Sequence, residues 1–175
     1  MLRLMLLRHA KSDGTLPGTR DHDRPLNARG RQAAPLVGRY MTAHELLPQH
    51  AIVSTAARTR ETWSLVLQAL RARPKTEFDN RIYEASPHAI LDVITQTPAP
   101  VQRLIVVGHN PGLQSLALAL AGAGEREARE RLFEKFPTGG LAVIDFNARA
   151  WSEIRPGTGR LTRFVTPRAL AAADK

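Results

Sequence analysis

The chain has 175 residues, 43% of them hydrophobic and 23% charged, which leaves room for one sizeable core and little for two. Cysteine is absent, which excludes disulfides and thiol chemistry, and no apolar run approaches the ~20 residues that cross a bilayer. Lysine and arginine number 25 against 16 acids, a formal charge of +9 that favours anionic partners; an arginine-rich composition throughout the chain would account for it as well.

Leu2–Leu7 is short, apolar and nearly continuous, the pattern of a buried strand. No small-residue cleavage site follows it, so a signal peptide is not expected and a cytoplasmic location is the default. The run stops abruptly at Arg8-His9. Lys11–Pro25 is polar, holds Gly14, Pro17 and Gly18, and reads as a loop. Asn27 can cap a helix running to about Leu46, in which Pro35 predicts a kink or a late start. Ala51–Val53 reads as a second strand ending at Ser54. A helix over about Thr59–Arg71 follows, with Trp63, Val66, Leu67 and Leu70 on one face.

Thr76–Phe78 is a candidate third strand. Ser86-Pro87 is a helix start, cap then proline, leading into Ala89–Ile94. Arg103–Val107 is the cleanest buried strand, and it delivers Gly108-His109. Asn110-Pro111 opens the next helix in the same manner, and Gly122 stops it. Gly124–Lys135 is charged throughout, a solvated helix or an insertion. Leu141–Phe146 and Leu161–Val165 complete the sheet. Strands alternating with helices predict a three-layer α/β/α fold around a mostly parallel sheet. One domain over residues 1–168 with a tail over 169–175 is expected.

Two apolar runs thus each deliver a histidine at their C-terminal end. In open α/β sheets ligands bind outside the carboxyl ends of strands. If the first, second and fourth strands are parallel neighbours, Arg8, His9, Ser54, Arg58 and His109 converge. Two guanidiniums and two imidazoles suit a tetrahedral dianion, because arginine offers paired planar donors and a permanent charge. The helix after Asn110-Pro111 would add backbone N–H groups and the positive end of its dipole. Neighbouring cations would hold His9 neutral and nucleophilic, able to attack phosphorus and form a phosphoimidazole. His109 would be held charged by the dianion it touches. A metal site is the other reading of two histidines; the chain lacks an HExxH-like spacing, and the arginines would repel a cation.

LLRHAKS, DHDRPLNARGRQAA, STAARTRET and VVGHNPGL, in that order across residues 2–146, resemble the histidine phosphatase superfamily, whose fold is phosphoglycerate mutase-like, in its SixA-type phosphohistidine phosphatase group. The resemblance implies helices on both faces of the sheet, catalysis without metal or other cofactor, and His9 as the phosphorylated nucleophile. It places Arg8, Arg58 and His109 around the phosphate and Arg24 near it; an ion pair with Asp21 or Asp23 is the alternative for Arg24. Lys11 and Asn110 join Arg24 as candidate substrate-binding residues. This chain has Arg8-His9-Ala10-Lys11 where the wider superfamily commonly has glycine after the histidine, so no positive φ is expected at Ala10. Glu84 in RIYEASP lies where many members place a general acid.

If Glu84 lines the pocket, phosphate esters become plausible substrates; if it faces solvent, phosphohistidine is favoured, since a P–N bond to imidazole needs no strong proton donor. Short connections leave only Gly124–Lys135 as a cover, and an open basic site suits a phosphate presented on a protein. The expected activity is a phosphatase acting on protein phosphohistidine. The alternatives are a small-molecule phosphomonoesterase or pyrophosphohydrolase, a mutase, and a non-catalytic phosphate- or nucleic-acid-binding module. The last ranks behind because aromatics are only 5% and no recognised nucleic-acid motif is present.

Overall fold

A computed structural model describes all 175 residues. Seven strands form one sheet in the order β3-β2-β4-β1-β6-β7-β5. They are β1 (Leu2–Arg8), β2 (His50–Val53), β3 (Lys75–Phe78), β4 (Arg103–Gly108), β5 (Ala121–Gly124), β6 (Leu141–Phe146) and β7 (Gly159–Val165). The helices are α1 (Ala28–Ala43), α2 (Ala57–Ala69), α3 (Pro87–Thr95), α4 (Gly112–Leu120), α5 (Arg126–Glu134) and α6 (Pro167–Ala173). Strands β1 to β4 run parallel, and β6 is antiparallel to both of its neighbours. The mostly parallel α/β sheet is the one the pattern predicts.

The unbroken apolar runs follow from burial on both faces. Leu4, Leu6, Leu104 and Val106 pack with α3, α4 and α5 in one core, while Met5, Leu7, Ile105 and Val107 pack with α1 and α2 in the other. Trp63 and Trp151 are fully enclosed, one in each core. Leu170 of α6 packs against the second core.

Several boundaries differ from the sequence reading. Helix α1 starts at Ala28, with Asn27 accepting from the Gly30 amide at 2.9 Å, and it continues through Pro35 without a late start. Helix α2 begins two residues early, at Ala57, because Thr59 ties its hydroxyl to the Ser54 and Ala56 carbonyls. Arg58 therefore sits inside the first turn rather than before it.

Helix α4 begins at Gly112, after a cis Asn110–Pro111 bond, so the proline occupies the cap and not the first turn. Gly122 does not merely stop this helix; it belongs to β5, which pairs with β7. A Cβ at Gly122 would lie 2.0 Å from the Gly157 carbonyl oxygen, so an Ala-Gly-Ala-Gly segment without strand-forming residues pairs here through close backbone approach. Helix α5 is the charged segment, anchored by buried Ala128 and Leu132.

Candidate active site

Strand register builds the site. β1 lies between β4 and β6, and β4 lies between β1 and β2. Leu7 pairs with Val107, and Val107 with Val53, so His9, His109 and Ser54 leave the sheet at nearly one level. The His9 amide donates to the Gly108 carbonyl at 3.1 Å, and the Ser54 amide to Val107 at 2.9 Å. The two imidazoles stand 5.4 Å apart between centroids.

Each ring is oriented by a fixed partner. His9 Nδ1 lies 2.8 Å from the Ala10 carbonyl oxygen, which can only accept, so Nδ1 carries the proton and Nε2 keeps its lone pair. The Ala10 amide donates to Thr62 Oγ1, whose hydroxyl donates to the Arg58 carbonyl; this ties the end of β1 to α2. Ala10 needs no positive φ, as its presence in place of glycine implies. His109 Nε2 lies 2.7 Å from Ser54 Oγ. Its Nδ1 is buried without a hydrogen-bond partner.

Three of the four such buried atoms in the molecule belong here: Arg8 Nε, Arg58 Nε and His109 Nδ1. Buried polar groups without partners are rare and call for an acceptor. Arg58 is 2% exposed, and its other nitrogens are held by Asp21 and Glu84. Arg8 Nη1 donates to the Phe136 carbonyl at 2.9 Å, as does Asn110 Nδ2 at 3.0 Å. These side chains face a cavity of about 340 Å³ with no hydrophobic lining residue.

Arg24, Lys11, Asn110 and Glu84 also line that cavity. Arg24 takes both of its expected parts, gripping Asp21 Oδ1 with Nε and Nη2 at 3.0 and 2.8 Å while facing the pocket. Lys11 is exposed at the rim. Glu84 Oε1 lies 2.8 Å from Arg58 Nη2 and 3.8 Å from His109 Nδ1, on a side chain that is half exposed. Its φ of 50° puts a glutamate in the left-handed region, a conformation that persists where surrounding structure enforces it. That structure is visible: a Cβ at Gly112 would lie 2.3 Å from the Ala85 carbonyl oxygen, so the start of α4 presses on the Glu84-Ala85 turn.

Some expectations are corrected. Burial, more than the neighbouring arginines, pushes His9 down to about 4, with Arg58, Arg8 and Arg24 adding to it. His109 is likewise pushed down to about 3, by burial and then Arg58, so without an anion the ring is neutral, and the charge expected of it depends on the dianion it touches. The amides expected from the start of α4 are already engaged: Leu113 N–H with the His109 carbonyl and Gln114 N–H with Asn110 Oδ1. Of the first three α4 amides, these two are therefore not free to bind an anion. Helix α5 does not line the catalytic cavity; the chain beyond it contributes Thr138 and the Phe136 carbonyl.

Sequence reasoning did not find the Asp21–Tyr83 pair. The Tyr83 hydroxyl donates to Asp21 Oδ2, which also accepts from Arg58. Asp21 is held well below the usual carboxylate range by Tyr83, Arg24 and Arg58. The acid's place beside Arg24 in DHDRPL was the available signal.

Residues 4–87 match the model of the histidine phosphatase superfamily, branch 1. An uncharacterized protein of Mycobacterium tuberculosis is 37% identical over 164 residues, which span 93% of this chain and all of that one. The crystal structure of a chain from Agrobacterium tumefaciens, assigned as the phosphohistidine phosphatase SixA, is 31% identical with a TM-score of 0.80, covering 95% of this chain and 98% of that one. A Nakamurella multipartitia structure with the same assignment is 26% identical, with a TM-score of 0.83 and coverage of 95% and 96%. With the RHAK and GHNPG segments side by side in space as the sequence likeness requires, the chain belongs to the SixA-type group of the histidine phosphatase superfamily and is a phosphatase.

Proposed function

We propose that this phosphatase hydrolyses phosphohistidine on protein through a covalent phospho-His9 intermediate, without a metal. The carrying observation is the set of unpaired buried donors on Arg8, Arg58 and His109 grouped beside the bare Nε2 of His9. A phosphoryl group supplies the acceptors that these atoms lack, and the guanidiniums offset its charge. The lone pair of His9 Nε2 attacks phosphorus in line, the P–N bond to the substrate imidazole breaks, and that nitrogen leaves with the bonding pair and takes up a proton. Water then attacks phospho-His9, releasing phosphate and restoring the imidazole. His109 donates through Nδ1 to a phosphoryl oxygen, and the dianion raises its proton affinity as charge develops.

A protein substrate is supported by the all-polar cavity, open at Lys11 and Gly14, and by the placement of α5 away from it. It is also supported by the SixA assignment of the Agrobacterium relative. Glu84 favours a second reading, a small-molecule phosphomonoesterase, because its carboxylate edges the cavity where a leaving oxygen would need a proton. A panel of phosphohistidine peptides, aryl phosphates, sugar phosphates and nucleotides separates the two. Preference for the peptides by kcat/KM supports the first reading, and preference for a small ester overturns it in favour of the second.

A further inference from the structure

Beside the catalytic cavity lies a larger one, of about 520 Å³, lined by Lys11, Arg29, Arg131, Lys135 and Arg168 and by no acidic residue. Lys11 and Thr138 border both cavities, so the two adjoin. Several exposed arginines elsewhere are tied to carboxylates, as Arg20 is to Asp23, Arg31 to Glu61 and Arg71 to Glu45, while others such as Arg39 and Arg160 stand alone. None of the five groove cations has an ion-pair partner in the chain. Phe164, Ala33, Pro137 and Pro167 supply the apolar part of its wall, and the Arg131 guanidinium sits 5.6 Å from the centre of the Phe164 ring.

We infer that this groove docks the acidic segment that flanks the phosphorylated side chain of a protein substrate. The inference deepens the phosphohistidine reading and rests on it. Charge complementarity selects an anion, and the layout of the charges selects its form. The cations reach in on long exposed side chains from the loop after β1, from α1, from α5 and its end, and from α6. Five cations from four separate parts of the chain share the wall with Ala33, Pro137, Phe164 and Pro167, more charge than a single phosphate needs and mixed with apolar surface. Carboxylates spread along a polypeptide, with aliphatic atoms between them, match that layout. The absence of flat aromatic platforms beyond Phe164 argues against stacked bases.

The test uses the intact chain and the triple substitution Arg131→Ser, Lys135→Ser, Arg168→Ser, all exposed positions outside the catalytic cavity. Binding is read by fluorescence anisotropy with unphosphorylated peptides, one with glutamates around its histidine and one with glutamines in their place. Wild type should prefer the acidic peptide, with a preference that fades as salt rises, and the triple variant should bind it about tenfold more weakly. With the phosphohistidine forms, the triple variant should raise KM for the acidic peptide by a similar factor and leave kcat within about twofold, while turnover of a small aryl phosphate stays unchanged. Equal binding of the two peptides by wild type, or tighter binding of an oligonucleotide or a nucleoside triphosphate through the same three residues, overturns the groove inference. Acidic-peptide preference without turnover of either phosphopeptide would instead count against the phosphohistidine reading alone.

Discussion

His9 and His109 face each other with ring centroids 5.4 Å apart and planes tilted by 54°, although a hundred residues separate them in the chain. Adjacent parallel strands in register place them there, and different neighbours fix what each can do. His9 presents a lone pair, while His109 presents an unpaired ring nitrogen backed by Ser54. His9→Ala should abolish turnover, by about 10³-fold or more, yet leave phosphate or vanadate binding measurable by calorimetry. His109→Ala should weaken anion binding and slow turnover by about 10²-fold, without removing the intermediate. Comparable residual turnover in the two variants would refute the division of roles.

Asp21 is a positioning residue. It accepts from Arg58, Arg24 and Tyr83, and so aims the guanidinium whose Nε stays unpaired. Asp21→Ala should lower kcat about tenfold, and Asp21→Asn, which still accepts hydrogen bonds, should recover part of that loss. Steady-state kinetics on both variants decides this; equal loss in the two would assign the effect to charge alone.

Glu84→Gln separates the leaving groups. A P–N bond to imidazole breaks without a strong acid, so phosphohistidine hydrolysis should fall less than about tenfold. Alkyl phosphate hydrolysis, where a carboxylic acid protonates the departing oxygen, should fall about 10²-fold. An equal fall for both substrates would mean that Glu84 acts by holding Arg58, to which it is bonded at 2.8 Å.

Stability should weaken in mild acid. In the unfolded chain histidine takes up its proton near 6.5, whereas His9 and His109 resist protonation down to about 4 and about 3 when folded. Between these values the unfolded state binds more protons, so folding stability is full above pH 6.5 and is lost progressively as pH falls toward 4. Each unit is worth about 1.4 kcal/mol per group. Urea titrations from pH 7.5 to 4.5 should show the decline, with the His9→Phe, His109→Phe double variant flatter across the same window.

Gly112→Ala should unfold more easily, because its Cβ would meet the Ala85 carbonyl oxygen at 2.3 Å and the Ile90 side chain at 2.9 Å. A cost of about 1–3 kcal/mol is expected from the denaturant midpoint. Because the same contact shapes the Glu84 turn, ester hydrolysis should fall with it.

What the sequence disclosed was what is local or periodic. Leu4–Leu7 and Leu104–Val107 alternate between two cores residue by residue, so continuous apolarity announced doubly buried strands, and their abrupt ends announced His9 and His109. The Asp21–Tyr83–Arg58 junction was hidden because it joins the loop before α1, the turn after β3 and the first turn of α2, which no short-range pattern relates. Glu84 was placed by likeness, but its left-handed backbone was not foreseeable, since glutamate carries no such preference and the constraint comes from α4. The groove cations were each visible as solvated charges; only the fold assembles them, because α5 on one face of the sheet and α1 and α6 on the other contribute to a single groove.

The most direct measurement is rapid mixing of enzyme with phosphohistidine substrate, quenching in alkaline denaturant, and mass spectrometry of the digest. Phosphate should appear on the peptide containing His9, stable in alkali and lost in acid, in wild type and not in His9→Ala. Turnover at full rate with no phosphate on His9, or phosphate on His109 instead, would contradict the account.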